Sequence, residues 1–443
     1  SDTGACVARV SNSTLPVGIA YECENPSLCV AGQTLTLDAN TAQSNNSGAA
    51  IGYNSANLDF DANGFAAIPL EYSDVGQLYL HASMVLPASG NDPSVSATGS
   101  SNLFTVKPYT LAVEQVQRPD LSANPATTSA GSGFVAAGSP FRVVVEARNA
   151  NGDPTPNFGN ESPRQQPDLT LANLVYPGAG DPGALSNTST MSFVGGNSGQ
   201  FSNSSIAWNQ VGSITIEPRL VGNDYLGAGD LATFTESGTI GRFFPDRYVL
   251  STSQAQNSCT SYSYLDEPAI ALDYTLQAHG QGIGVVSNYD SSIGYLDTAS
   301  VSYVAENNDD GTDLSARLTA SGGNWAAGVM SVSLTDVVFA RDVSLEAPLA
   351  DLQPGLRLSD SLDSRALDAL DMHPAASGDC VSAGNCSAKA LGNTLELRYG
   401  RLNLASAYGP ESLNLPVPFT TEYYNGVRWQ INVDDSCTEI ARS

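Results

Sequence analysis

Two stretches of the chain alternate apolar and polar residues in the same order. One is Asn63-Gly-Phe-Ala-Ala-Ile-Pro-Leu-Glu-Tyr72-Ser-Asp-Val75-Gly76-Gln-Leu-Tyr-Leu80. The other is Ser198-Gly-Gln-Phe-Ser-Asn-Ser-Ser-Ile-Ala-Trp208-Asn-Gln-Val211-Gly212-Ser-Ile-Thr-Ile216. Each has an alternating run ending in an aromatic, then Val-Gly, then a second alternating run. Period two on both sides of a glycine predicts two antiparallel strands around a tight turn. Leu70, Tyr72, Leu78 and Leu80 would face one core, and Ile206, Trp208, Ile214 and Ile216 another. The copies are a domain apart, too far for a solenoid repeat.

Opening strands precede the copies at Thr34–Ala39 and Phe141–Ala147. A third unit opens at Ala269–Leu276 and continues through Val301–Tyr303, Leu314–Leu318 and Val329–Phe339. There Gly323-Asn-Trp-Ala-Ala-Gly-Val329 stands where Val-Gly would be. Strands at this spacing predict an all-β chain of tandem Ig-like antiparallel sandwiches with long loops and disulfides. Pro108 and Gly241-Arg-Phe-Phe-Pro245 interrupt the pattern, giving sandwiches over 1–110, 111–241 and 242–443, with a sub-boundary near 349–392. Segments 149–200 and 350–392 read as loops, the second with a short helix on Leu362, Ala366, Leu367 and Leu370. Final strands are expected at Leu395–Leu404, Leu413–Phe419 and Val427–Val433.

The length of 443 residues suits about three domains. Forty-one Gly and 24 Pro, spread throughout, supply the turns that many short strands need. The formal net charge of −27 disfavours nucleic acid and anionic membrane surfaces, which require basic patches. No apolar run approaches the ~20 residues of a membrane span. Lysine occurs only at Lys107 and Lys389, which leaves little scope for lysine chemistry. The chain opens at Ser1-Asp-Thr-Gly-Ala-Cys6 without a signal-peptide core, as expected of a processed piece of a longer exported protein.

Seven cysteines, Cys6, Cys23, Cys29, Cys259, Cys380, Cys386 and Cys437, form no CxxC pair and no zinc-finger spacing. They read as disulfides in an oxidising compartment, with an odd thiol left over. Cys380 and Cys386 flank a short Gly-containing loop that suits a local bond. A second pairing is expected within Cys6, Cys23 and Cys29.

Among polar clusters, Glu306-Asn-Asn-Asp309-Asp310-Gly311-Thr-Asp313 stands out. As an EF-hand loop it fails, because its twelfth position is Arg317 and not a bidentate Glu. It reads either as an Asn/Asp/Gly turn or as another kind of calcium loop, with Asp309, Asp310 and Asp313 as ligands; no other cofactor is indicated. His81, His279 and His373 show no metal-ligand spacing and read as surface or strand-edge residues. Forty-five acids make an accidental glycosidase-like carboxylate pair inevitable, so an exported hydrolase has no specific residue behind it. The dense pairs Tyr262/Tyr264 and Tyr423/Tyr424 read as packing or, alternatively, as sugar-stacking faces of a carbohydrate-binding module.

A series of motifs runs along the whole chain: Tyr21-Glu-Cys23-Glu-Asn-Pro26, Tyr72-Ser-Asp-Val-Gly76, Pro156-Asn-Phe-Gly159, Trp208-Asn-Gln-Val-Gly212, Gly241-Arg-Phe-Phe-Pro-Asp246, Cys259-Thr-Ser-Tyr-Ser-Tyr264, Arg398-Tyr-Gly-Arg-Leu402, Ala407-Tyr-Gly-Pro-Glu411 and Asp434-Asp-Ser-Cys-Thr438. In this order they resemble the conserved region of the MshQ family, biogenesis proteins of the mannose-sensitive haemagglutinin (MSHA) type IV pilus. Arg247-Tyr248 stands where that family often has His-Phe. The resemblance implies a non-enzymatic, exported surface or pilus-associated protein of a Gram-negative envelope. Its partners would be pilus or other cell-surface proteins, with glycans as an alternative. It brings no catalytic residues.

Overall fold

The computed structural model describes residues 8–88, 90, 92–196 and 199–439, so Cys6 lies outside the described residues. Strands dominate, and the one α-helix among the described residues is Cys380–Ala383.

The first module is organised by the strand Ser13–Asn25. One edge pairs antiparallel with Gly76–Leu86. The other pairs antiparallel with Asn54–Phe60 and then parallel with Gln43–Asn46. A facing sheet holds Asn40–Thr41, Leu35–Leu37 and Leu70–Tyr72. Val17, Ile19, Tyr21 and Cys23 point inward from alternate positions and pack on Leu35, Leu37 and Tyr72. Pro16 and Gly18 lie within this long strand and disguise it in the sequence.

The second module sets Thr110–Gln117, Phe141–Arg148 and Gln200–Trp208 against a sheet of Pro167–Tyr176, Gly212–Leu220 and Ile240–Phe243. Its core is aromatic, with Phe243 5.0 Å from Trp208 and 5.6 Å from Phe141, ring centre to ring centre. The third opposes Arg247–Gln256, Ile270–His279 and Val329–Phe339 to Ala299–Asn307, Leu349–Asp360 and Leu395–Arg398. Tyr248, Tyr274, Tyr289, Tyr295 and Trp325 fill its interior. A small sheet, Gly400–Leu404, Phe419–Tyr424 and Trp429–Ile431, follows.

The repeated Val-Gly elements are not hairpins. Leu70–Tyr72 pairs with Leu35–Leu37, whereas Gly76–Leu86 pairs with Ser13–Asn25. Likewise Gln200–Trp208 pairs with Phe141–Arg148, and Gly212–Leu220 with Pro167–Tyr176. Each Val-Gly is therefore a corner that carries the chain from one sheet to the facing one. Alternation looks the same in an arch and in a hairpin, so period alone did not separate them. The glycines are required: φ is +132° at Gly76 and +122° at Gly212. An added Cβ would stand 2.7 Å from the Asn25 carbonyl oxygen and 1.9 Å from that of Tyr176. Ile206, Trp208, Ile214 and Ile216 are buried, as are Tyr72 and Leu78. Leu70 is 41% exposed, because its short edge strand projects it to solvent.

Other expectations are corrected. Segment 149–200 carries the ten-residue strand Pro167–Tyr176, and segment 350–392 begins within the twelve-residue strand Leu349–Asp360. No helix forms over 362–370. Asp360 accepts from the amides of Leu362 and Asp363, and Ser364 and Ala369 have positive φ, which a right-handed helix does not accommodate. Leu413–Phe419 is not a strand; Pro416 and Pro418 lack the amides a ladder needs, and pairing begins at Phe419.

Candidate functional site: the module junctions and an acidic cavity

The corners join one module to the next. Val75 is almost fully buried, and it packs into the core of the second module with Phe158 and Tyr225 rather than into its own. Asn157 of the second module grips it: the Asn157 backbone N–H donates to Asp74 Oδ1 at 3.0 Å, and its side-chain amide donates to the Val75 carbonyl at 3.2 Å. The next corner repeats this. Val211 is buried in the core of the third module. The Asn288 backbone N–H donates to Gln210 Oε1 at 3.2 Å, and its amide to the Val211 carbonyl at 3.3 Å. Pro156-Asn157-Phe158 and Ser287-Asn288-Tyr289 are thus the same socket, each Asn followed by a buried aromatic.

Further contacts close each junction. Between the first two modules, Asn25 and Ser162 exchange hydrogen bonds at 2.8 and 3.1 Å, and Lys107 Nζ donates to the Asp230 carbonyl at 2.6 Å. Between the second and third, Tyr176 and Tyr295 stack at 5.4 Å, and the Arg242 guanidinium makes two 2.6 Å bonds to Asp363. Both partners of that ion pair are buried, with side-chain exposures of 1% and 7%. A bidentate pair fixes orientation as well as distance. The last sheet is tied in by Arg398, which lies over the rings of Tyr262 and Tyr423 at 4.2 and 4.7 Å and donates to Asn432 and Asp434. Tyr264 donates to Asp435 at 3.0 Å. These tyrosines are engaged in packing; Tyr262 is fully buried.

Three disulfides reinforce the arrangement. Cys23 is bonded to Cys29, Cys380 to Cys386, and Cys259 to Cys437, the last joining the small sheet to the third module. Cys259, Asp435 and Cys437 are the one set of three potential metal ligands that converge among the described residues. The bond between the sulfurs removes them as thiolate donors.

The first junction buries acid. Asp74 is 1% exposed, and its Oδ2 has no hydrogen-bond partner. Burial, reinforced by the charge of Glu161, pushes its carboxyl up to about 7 despite hydrogen bonds from Asn157 and Val75. Burial also raises Glu161, which accepts from the Tyr225 hydroxyl at 2.7 Å. At the second junction the corresponding position is the uncharged Gln210.

The acidic loop at 306–313 follows the strand Ala299–Asn307. Asp310 accepts from Thr312 N at 2.7 Å and Asp313 from Ser315 N at 2.9 Å, so both cap local turns. Asp309 accepts from Gly378 N at 3.1 Å and faces a cavity of about 430 Å³, which Glu306 and His373 also line. Burial, then the charges of Asp309, Asp310 and Asp313, raises the Glu306 carboxyl. His81 bridges Ser100 and Glu22, and His279 contacts Gln277.

The chain matches successive domains of one family. Residues 1–100 match the domain of unknown function DUF6701, first Ig-like domain. Residues 107–204 match its second domain, 210–387 its third and 398–443 its fourth. No curated protein matches the chain. Solved structures similar to it include the Escherichia coli adhesin FdeC, at 13% identity and TM-score 0.26, covering 82% of this chain and 95% of that one. The Yersinia pseudotuberculosis adhesin InvE is similar at 14% identity and TM-score 0.24, covering 65% and 64%. With all four domains matched in order, the chain belongs to the multi-domain DUF6701 family of Ig-like proteins.

Proposed function

We propose that the chain is part of an exported cell-surface protein, structural and adhesive, whose modules form a stiff, disulfide-stapled support that presents loops to partners. The repeated junction carries this: a corner valine seated in the next core, with its carbonyl held by a buried asparagine. Linked domains move by default unless their interface is well packed. Here one module supplies part of the next module's core. The three disulfides suit an oxidising exterior, and the strong negative charge suits solubility there. Resemblance to the MshQ family supports pilus or other envelope proteins of a Gram-negative bacterium as partners. Immunogold labelling and protease shaving of intact cells test this. Surface labelling that co-purifies with pili or envelope is the expected result, and a protein confined to the cytoplasm refutes it.

A further inference from the structure

The cavity beside the 306–313 loop is built around a carboxylate with no partner. Glu306 is 7% exposed, and its Oε2 receives no hydrogen bond. An ionised carboxylate is rarely buried unless it is paired or coordinates a metal. Asp309, Asp351, Asp371 and Asp379 line the same cavity, as does His373, whose Nδ1 is also buried without a partner. Asp371 is neutralised by Lys389 Nζ at 2.6 Å. The other acids of the cavity face no lysine or arginine partner among the described residues.

The loops that carry these acids lie side by side. Asp309 is tied to Gly378 by the 3.1 Å hydrogen bond, and the Cys380–Cys386 bond closes the turn that follows Asp379. Oxygen donors on loops around a buried negative centre are what a hard divalent ion requires. We propose that this cavity binds a divalent cation of calcium chemistry, held by Glu306, Asp309 and Asp351, with Asp379 and water completing the shell. Asp310 and Asp313, engaged in their own turns, contribute charge and no ligand. No three of the cavity's acidic and histidine ligand atoms lie within 4.8 Å of one another. The ion therefore retains water and draws the 308–313 and 371–379 loops together.

Calorimetric titration of the whole chain with calcium chloride, with thermal unfolding in calcium or in EDTA, tests the site. The expected result is saturable binding of one ion with a Kd of about 10⁻⁴–10⁻³ M, as in extracellular modules. Excess calcium then raises the unfolding midpoint by roughly 2–4 °C. Glu306→Gln in EDTA unfolds at a higher midpoint than the native chain, since it removes an unpartnered buried charge, and it loses the calcium increment. Asp351→Asn, at an exposed position that leaves the fold intact, weakens binding by at least about tenfold. Absence of both binding heat and midpoint shift overturns the proposal. So does a calcium increment that survives in both variants, which would place the ion elsewhere on the acidic surface.

Discussion

The side-chain amide of Asn157 donates to the main-chain carbonyl of Val75 across the boundary between the first and second modules, at 3.2 Å. Both residues are 1% exposed, so neither group has water as a substitute. Asn157→Ala leaves the Val75 carbonyl without that donor, at a cost of about 1–3 kcal/mol. Urea denaturation is expected to split into two transitions, the first module unfolding ahead of the rest. Asn288→Ala should do the same at the second junction.

Asp74 makes the first junction sensitive to pH. Its carboxyl ionises near 7 when folded and near the ordinary 3.8 when unfolded. Below about pH 4 both states are protonated and nothing is lost. Between about 4 and 7 the unfolded state releases its proton first, so stability falls as pH rises, and the full loss is present above 7. Asp74→Asn places an uncharged amide there, as Gln210 does at the second junction. It should raise stability at pH 7.5 and flatten the slope between pH 4 and 7, as read by urea midpoints across that range. An unchanged slope would show that Asp74 does not titrate in this window.

The corner glycines should differ in tolerance. Gly212→Ala puts a Cβ 1.9 Å from the Tyr176 carbonyl oxygen, and Gly76→Ala puts one 2.7 Å from that of Asn25. Gly222 has φ of +79° with open space around it, so Gly222→Ala carries the left-handed cost alone, about 1–2 kcal/mol. Thermal midpoints should fall in the order Gly222→Ala, Gly76→Ala, Gly212→Ala, with the last the least stable.

The Cys259–Cys437 bond spans 178 residues, against 6 for each of the others. Loop-closure entropy assigns about 5 kcal/mol to a bond of this reach. The sheet it holds is weak by itself: Leu402, Leu404 and Phe419 are each at least half exposed. In a Cys259→Ser/Cys437→Ser double variant, limited proteolysis should cut within 405–418 first and leave the three larger modules intact. The native chain under oxidising conditions should resist that cut.

Where burial decides side-chain placement, the sequence was legible. Phe141–Arg148, Ile270–His279 and Val329–Phe339 are strands because apolar residues face a core, and Ile206, Trp208, Ile214 and Ile216 are all buried. The junctions were not legible as junctions, although their residues were visible as motifs. Val75 looks like any turn valine until the next module's core surrounds it. Asn157 and Asn288 carry no periodic signal, and Arg242 reads as a boundary residue until Asp363 is seen beside it. Pairing across modules depends on long-range contacts, on which alternation along one strand is silent. The acidic loop was visible as a cluster. The buried member that sets its character, Glu306, belongs to the preceding strand and was marked only by position.

Small-angle X-ray scattering of the whole chain, native and with Asn157→Ala and Asn288→Ala combined, tests the central claim most directly. Stiff junctions predict that the native profile fits this single arrangement of modules and does not change with salt, while the double variant scatters as a broader set of shapes. A native chain that already requires a wide set of shapes, indistinguishable from the variant, would contradict it.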